Sequence, residues 1–182
     1  AYPGKMFKWG YFPEMKEYDI DALMKAKREK RQRDGKVSLL WAGRFLSLKH
    51  PEYAIKAAVK MREKGMDFFL TMVGGGELEG QLKGMVRENG LEDVVRFTGF
   101  LPPDKVRTCM EEADVFLFTS DYNEGWGAVI NEAMNSGCAV IAGCDAGAVP
   151  FLITPGKNGL IYPHNGWEVF YRSLSGLVQS PD

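Results

Sequence analysis

From about residue 36 the chain alternates between two kinds of segment. One kind is short and almost wholly apolar: VSLLWAG, DFFLTMVG, VVRFTG, DVFLFTS, CAVIAG and GLIYP. The other carries apolar positions at helical spacing: HPEYAIKAAVKMREKG, ELEGQLKGMVRENG, PPDKVRTCMEEA, residues 126–136, a short turn near Val149, and GWEVFYRSLSGLVQ. The apolar runs lack the in–out alternation of a strand with one wet face. A strand buried on both faces reads this way, and parallel sheets covered by helices are where such strands occur. Six alternations joined by right-handed crossovers predict an α/β domain over residues 36–182 with a Rossmann-like, doubly wound parallel sheet. The punctuation agrees, with Pro51 in a first turn and Gly65 and Gly90 just past helix ends.

Ahead of this domain, DIDALMKAKREKRQR (19–33) predicts a helix with an acidic start and a basic end, closed at Asp34-Gly35. Residues 1–18 are rich in aromatics and broken by Pro3, Gly4, Gly10 and Pro13, which predicts an extended linker. Residues 1–35 are therefore assigned as linker and N-terminal helix. Trp9, Tyr11 and Phe12 would pack locally or touch a further domain. The run KAKREKRQR is short and lacks interleaved aromatics, so a solvated helix face is expected rather than an anion-binding strip.

Composition narrows the function classes. The chain has 182 residues, enough for one sizeable core, with a net charge of -1 that argues for neither nucleic acid nor an anionic membrane. Three cysteines and no C-x-x-C suggest free thiols in a reducing compartment. No apolar run approaches the length of a membrane span, and the opening residues read as an internal segment of something longer. His50, beside Pro51, is expected to pack or cap, and His164 to face solvent. Neither has a partner at metal-ligand spacing, so no metal is expected.

In a doubly wound sheet, ligands bind at the carboxyl ends of the strands. Three stretches fall there. GRFLSLKH offers Gly43 for a sharp turn, then Arg44 and Lys49, two cations able to neutralise a diphosphate or to sit as solvated loop residues. VGGGELEG permits close backbone approach at Gly74 and Gly75, but matches neither the dinucleotide fingerprint nor the P-loop. NEGWGAVINEAMNSG places Gly125, Trp126 and Gly127 at an expected helix start, with Glu124 before them and Glu132 eight positions beyond Glu124. Helical spacing leaves Glu132 open between a buried carboxylate awaiting hydroxyl donors and a residue on a polar stripe with Asn131 and Asn135.

The stretch EGWGAVINEAMNSGCAVIA resembles the E-x7-E signature of retaining glycosyltransferases of family 4. AGRFLSLKHPEYAIKA, FFLTMVGGGELEGQLKGMV, VVRFTGFLPPDKV and AGAVPFLITPGKNGLIYP resemble further motifs of that family in the family's order. The likeness covers roughly residues 36 to 178. It implies the C-terminal, donor-binding half of a GT-B fold and a sugar donor linked to UDP, GDP or ADP, with no further cofactor. An acceptor-binding domain would precede this one. The setting would be cytoplasmic, with room for peripheral contact at the inner membrane face through that missing domain.

Residue by residue, the resemblance gives Arg44 and Lys49 the donor diphosphate, and Glu124 the donor sugar. Glu132 would take the ribose hydroxyls. Gly125, Trp126 and Gly127 would lie by sugar and phosphate, Gly43, Gly74 and Gly75 would line the turns, and backbone from Phe97 through Gly99 and Phe100 to Leu101 would receive the base. Three positions depart from the family pattern: Trp126 for Phe, Gly75 where an acid is common, and Phe151 where Glu is common. The expected activity is transfer of a sugar from a nucleotide diphosphate to an acceptor hydroxyl, in glycan or polysaccharide synthesis, with the isolated domain inactive. The alternatives are a non-catalytic nucleotide-sugar module, or another GT-B-like catalyst such as an epimerase or a phosphorylase.

Overall fold

The computed structural model describes residues 14–180, and the aromatic residues Trp9, Tyr11 and Phe12 lie outside them. Strands β1 (Val37–Ala42), β2 (Phe68–Val73), β3 (Val95–Gly99), β4 (Val115–Phe118), β5 (Ala139–Gly143) and β6 (Gly159–Tyr162) form one sheet in the order β3-β2-β1-β4-β5-β6. Every pairing is parallel, with Leu39 opposite Leu70 on one side and Val115 on the other. Helices α1 (Ile20–Asp34), α2 (Glu52–Glu63), α3 (Glu79–Glu88), α4 (Pro103–Glu112), α5 (Val129–Asn135), α6 (Val149–Leu152) and α7 (Trp167–Gln179) alternate with the strands. No helix among the described residues is long and apolar enough to cross a membrane.

Pleating explains why the strands are apolar throughout. Successive side chains point to opposite faces, and each face meets helices. Leu39, Trp41, Val115 and Leu117 join the core under α2, α3 and α7, while Leu40, Phe116 and Phe118 join the core under α4, α5 and α6. Local chemistry sets the ends of α1. The Asp19 carboxylate accepts the Ala22 N–H at 3.0 Å, and Gly35, at φ 62°, donates its N–H to the Arg31 carbonyl.

The basic run on α1 is not simply a solvated face, which corrects the expectation for residues 25–33. Lys27 is 4% exposed, and its ammonium donates to the carbonyl of Met110 at 2.9 Å and to that of Ala113. Lys30 donates to the Ser38 hydroxyl, and Arg31 pairs with Asp114. The run has two sides, and α1 turns one of them onto α4 and the start of β1. Ahead of α1, Tyr18 and Lys16 both donate to Glu111 on α4, at 2.6 and 2.5 Å.

Helix α5 also departs from the expected span of 126–136. It begins at Val129 because Gly127 takes φ 78°, a left-handed conformation that a helix cannot contain.

Candidate functional site

The strand order fixes where a ligand can enter. β1 and β4 are neighbours, but the chain leaves them toward opposite edges of the sheet, which opens a crevice at their carboxyl ends. The loop after β1 brings Arg44 and Lys49 to this crevice, the latter at the end of a 3-10 turn, Ser47–Lys49. The loop after β4 brings Glu124 and Gly127. With Gly43, Gly74 and Phe100 these residues wall a cavity of ≈ 340 Å³. A second cavity of ≈ 340 Å³ lies toward the amino ends of β1 to β3, by Lys30, Ser38 and Arg96. The first is the better candidate on topology, since it opens at the carboxyl ends, where the strand order reverses and ligands of such sheets bind.

The Lys49 ammonium contacts the Glu124 carboxylate, and both side chains are largely covered, at 22% and 14% exposure. The two loops that carry them are tied together. The Thr119 hydroxyl donates to the Lys49 carbonyl at 2.6 Å and accepts the Trp41 indole N–H at 2.8 Å. The Asp121 N–H donates to the Leu48 carbonyl at 2.9 Å, and the Glu124 N–H to the Asp121 carbonyl at 3.0 Å. Burial pushes the Asp121 carboxyl up, but the Asn123 N–H and the His50 ring outweigh it and hold the group below its ordinary range. Arg44 is exposed at the cavity wall. Two cations against one carboxylate leave this wall positive, as an anionic ligand requires.

The glycines here serve the backbone first. Gly74, at φ 123°, lies so close to the β1 loop that a Cβ would stand 1.9 Å from the Gly43 carbonyl oxygen. Gly75 has a different neighbour, for a Cβ there would come within 2.9 Å of the Phe100 ring. The acid missing at position 75 thus leaves room for Phe100, 74% exposed, to lie across the turn. Phe97 points elsewhere and packs edge-on against Phe45 at 6.0 Å. The Gly99 carbonyl already accepts the Gly74 N–H at 2.9 Å.

The structure thus gathers Gly43, Arg44, Lys49, Gly74, Phe100, Glu124 and Gly127, and leaves Gly75, Phe97, Gly99, Gly125, Trp126 and Glu132 outside the cavity wall. The buried setting considered for Glu132 is not found. Its side chain is 38% exposed, 4.0 Å from Arg107 of α4. It also sits in the first turn of α5 rather than two turns in, because the helix starts late. Ala128 and Val129, on the turn before it, do line the cavity. Gly125 and Trp126 are not helix-terminal either, for their carbonyls accept the N–H groups of Gly147 and Ala148, each at 2.9 Å. Trp126 stacks on Phe151, with centroids 5.9 Å apart and planes at 20°, so two departures from the family pattern meet as one aromatic pair.

Arg107, Thr119 and Asp121 are site-building residues that sequence reasoning missed. Thr119 and Asp121 carry a readable signal, being polar residues directly after the apolar run DVFLF at a strand's carboxyl end. Arg107 carries none, because it is one of several polar residues on an amphipathic helix. Among the described residues, no three His, Cys, Asp or Glu side chains cluster as metal ligands would.

A family model described as "Glycosyl transferases group 1" matches residues 24–182. The amylovoran biosynthesis glycosyltransferase AmsK of Erwinia amylovora is 32% identical over 146 residues, 78% of this chain and 36% of that protein. The chain spans well under half the length of the curated relatives it matches. Among solved structures, the C-terminal domain of a glycosyl transferase group 1 family protein (LpcC) from Francisella tularensis superposes with a TM-score of 0.73 at 24% identity, covering 85% of this chain and 83% of that one. Alr3699/HepE of Anabaena, solved in complex with UDP, superposes with a TM-score of 0.71 at 23% identity, covering 91% and 47%. At such identities the structural likeness is one of fold, the Rossmann-like C-terminal domain of the GT-B architecture.

Proposed function

This chain belongs to the group 1 glycosyl transferases, and from that premise we infer that it is the donor-binding half of a retaining enzyme moving a sugar from a nucleotide diphosphate to an acceptor hydroxyl. The observation that carries the reading is the meeting of Arg44, Lys49 and Glu124 round one cavity at the β1–β4 crevice. Lys49 and Arg44 hold the diphosphate, and their charge stabilises it as it departs. Glu124 orients Lys49 before the donor binds and accepts sugar hydroxyls afterwards. Glu132, one turn along α5 from the cavity wall, takes the ribose hydroxyls, with Arg107 steering its carboxylate. Backbone near Phe100 and Leu101 receives the base. The acceptor, a growing glycan in this reading, is held by a separate N-terminal domain, so the chain by itself binds donor and transfers nothing. UDP is the first nucleotide to test because the HepE structure holds it.

Calorimetric titration of the chain with UDP, GDP and ADP tests the site. At least one nucleotide should bind, and at a hundred times its dissociation constant it should raise stability by about 2.7 kcal/mol. Lys49→Ala should weaken that ligand. If none of the three binds, or if Lys49→Ala leaves the affinity of the one that does unchanged, the donor-site assignment is wrong.

A further inference from the structure

His50 follows Lys49 directly and occupies a conformation that ordinary residues avoid. Its backbone is left-handed, at φ 45° and ψ 49°, and Asn165 is the one other described non-glycine residue with positive φ. Such a conformation persists only where the surroundings over-determine it. Here the surroundings are two carboxylates. The ring's Nδ1 lies 3.1 Å from Glu52 Oε1 in the first turn of α2, and its Nε2 lies 3.3 Å from Asp121 Oδ2 after β4. Tyr53 of α2 covers the ring at a centroid distance of 5.5 Å.

We propose that His50 is the positioning residue for Lys49, its side chain pinning the Lys49 loop to α2 and to the β4 loop so that the ammonium is held beside Glu124. The proposal rests on the donor-site reading above. Backbone and side-chain bonds hold the loop together. The 3-10 turn is three residues long, and it is tied to the β4 side by the Asp121 N–H to Leu48, the Thr119 hydroxyl to Lys49, the Lys49 ammonium to Glu124, and the His50 ring. Of these, the ring also reaches α2 at Glu52, where the His50 carbonyl accepts the Tyr53 N–H at 3.1 Å. A carboxylate accepts and never donates, so two carboxylates on one imidazole are both served only when both ring nitrogens carry hydrogen. In the neutral ring one nitrogen would face a carboxylate lone pair to lone pair. The ring is clasped between Glu52 and Asp121, with the Tyr53 ring beside it and Lys49 next in sequence.

His50→Gly separates the side chain from the backbone, because glycine adopts the left-handed conformation without cost. Amide hydrogen exchange on the chain, read as protection factors at Lys49 and Asp121, measures the loop directly and needs no ligand. The expected result is a fall in protection of about tenfold or more at both amides in His50→Gly, the size of a lost charged hydrogen bond. Global melting should stay nearly unchanged. The affinity for whichever of UDP, GDP and ADP binds should fall several-fold in the variant. Protection and affinity kept in His50→Gly would show that the backbone conformation alone is needed, and would overturn the proposal. An unaltered affinity in Lys49→Ala is a different failure, that of the donor-site reading itself.

Discussion

Two lysines show how this fold uses one chemical group in opposite ways. Lys27 is buried and points its ammonium at the carbonyls of Met110 and Ala113, where α4 ends, with the Cys138 sulfur 4.0 Å away. Burial lowers its pKa, since the low-dielectric surroundings disfavour the charge. Lys49 keeps part of its surface in water and faces a carboxylate on a different loop. Lys27 closes a structural gap, adding a charged donor to carbonyls at the end of α4. Lys49 sits where its donors can be re-used by an incoming anion. The more buried cation is thus not the one the donor-site proposal uses, and what separates them is whether the surroundings leave an opening.

That contrast can be broken in order of expected size. Lys27→Met fills the volume but takes the charged donor from two buried carbonyls, leaving them the Cys138 thiol and, at Met110, the Ala113 N–H, and it should cost about 3 kcal/mol of stability. Thermal melting should read this as a drop of about 10 °C, with nucleotide affinity unchanged where the protein is folded. A loss of affinity alongside normal melting would show that the two lysines are not separable. Lys49→Ala should do the reverse, weakening the bound nucleotide by about ten- to a hundredfold, as for a lost charged hydrogen bond, while the melting temperature barely moves. Glu124→Gln should be milder. The nucleoside diphosphate alone should bind as well or slightly better, since a competing carboxylate is gone, whereas the matching nucleotide-sugar should lose several-fold in titration calorimetry.

The smallest effect should come from Glu111→Gln, beside the Lys27 end of α1. Burial pushes the Glu111 carboxyl up, but the Lys16 and Tyr18 donors outweigh it and hold the carboxyl below its ordinary range. A depressed folded-state pKa means that the carboxylate's contribution is present above the ordinary glutamate range and lost as pH falls through the folded value. The wild type should therefore melt slightly above Glu111→Gln at neutral pH, and the difference should vanish on acidification. A difference that persisted in acid would mean that the carboxylate's charge is not what fastens residues 16 and 18.

Much of this was legible in the sequence. Six apolar runs bounded by Gly, Pro and amphipathic stretches gave the strands to within a residue or two, because a strand buried on both faces leaves a period-free signature. Gly43, Arg44, Lys49, Gly74 and Glu124 could be placed at strand ends, and the topology gathers them. The environment of Glu132 was not legible, because a single left-handed glycine, Gly127, delays α5 and changes which turn the residue occupies. The pairing of Trp126 with Phe151 was hidden too, since 25 positions separate them and they meet only because the 125–126 and 147–148 segments are hydrogen-bonded.

The sequence by itself determined the element types, their order, and which loops carry charge, because hydrophobic periodicity and turn chemistry act over a few residues. The tertiary structure decided which of those charges are sealed in and which stay open. That depends on what packs against each side chain from elsewhere in the chain. The run KAKREKRQR reads the same whether Lys27 faces water or α4. His50 reads as a packing or capping residue at a helix start, and only the fold brings Asp121, on the loop after β4, within 3.3 Å of it.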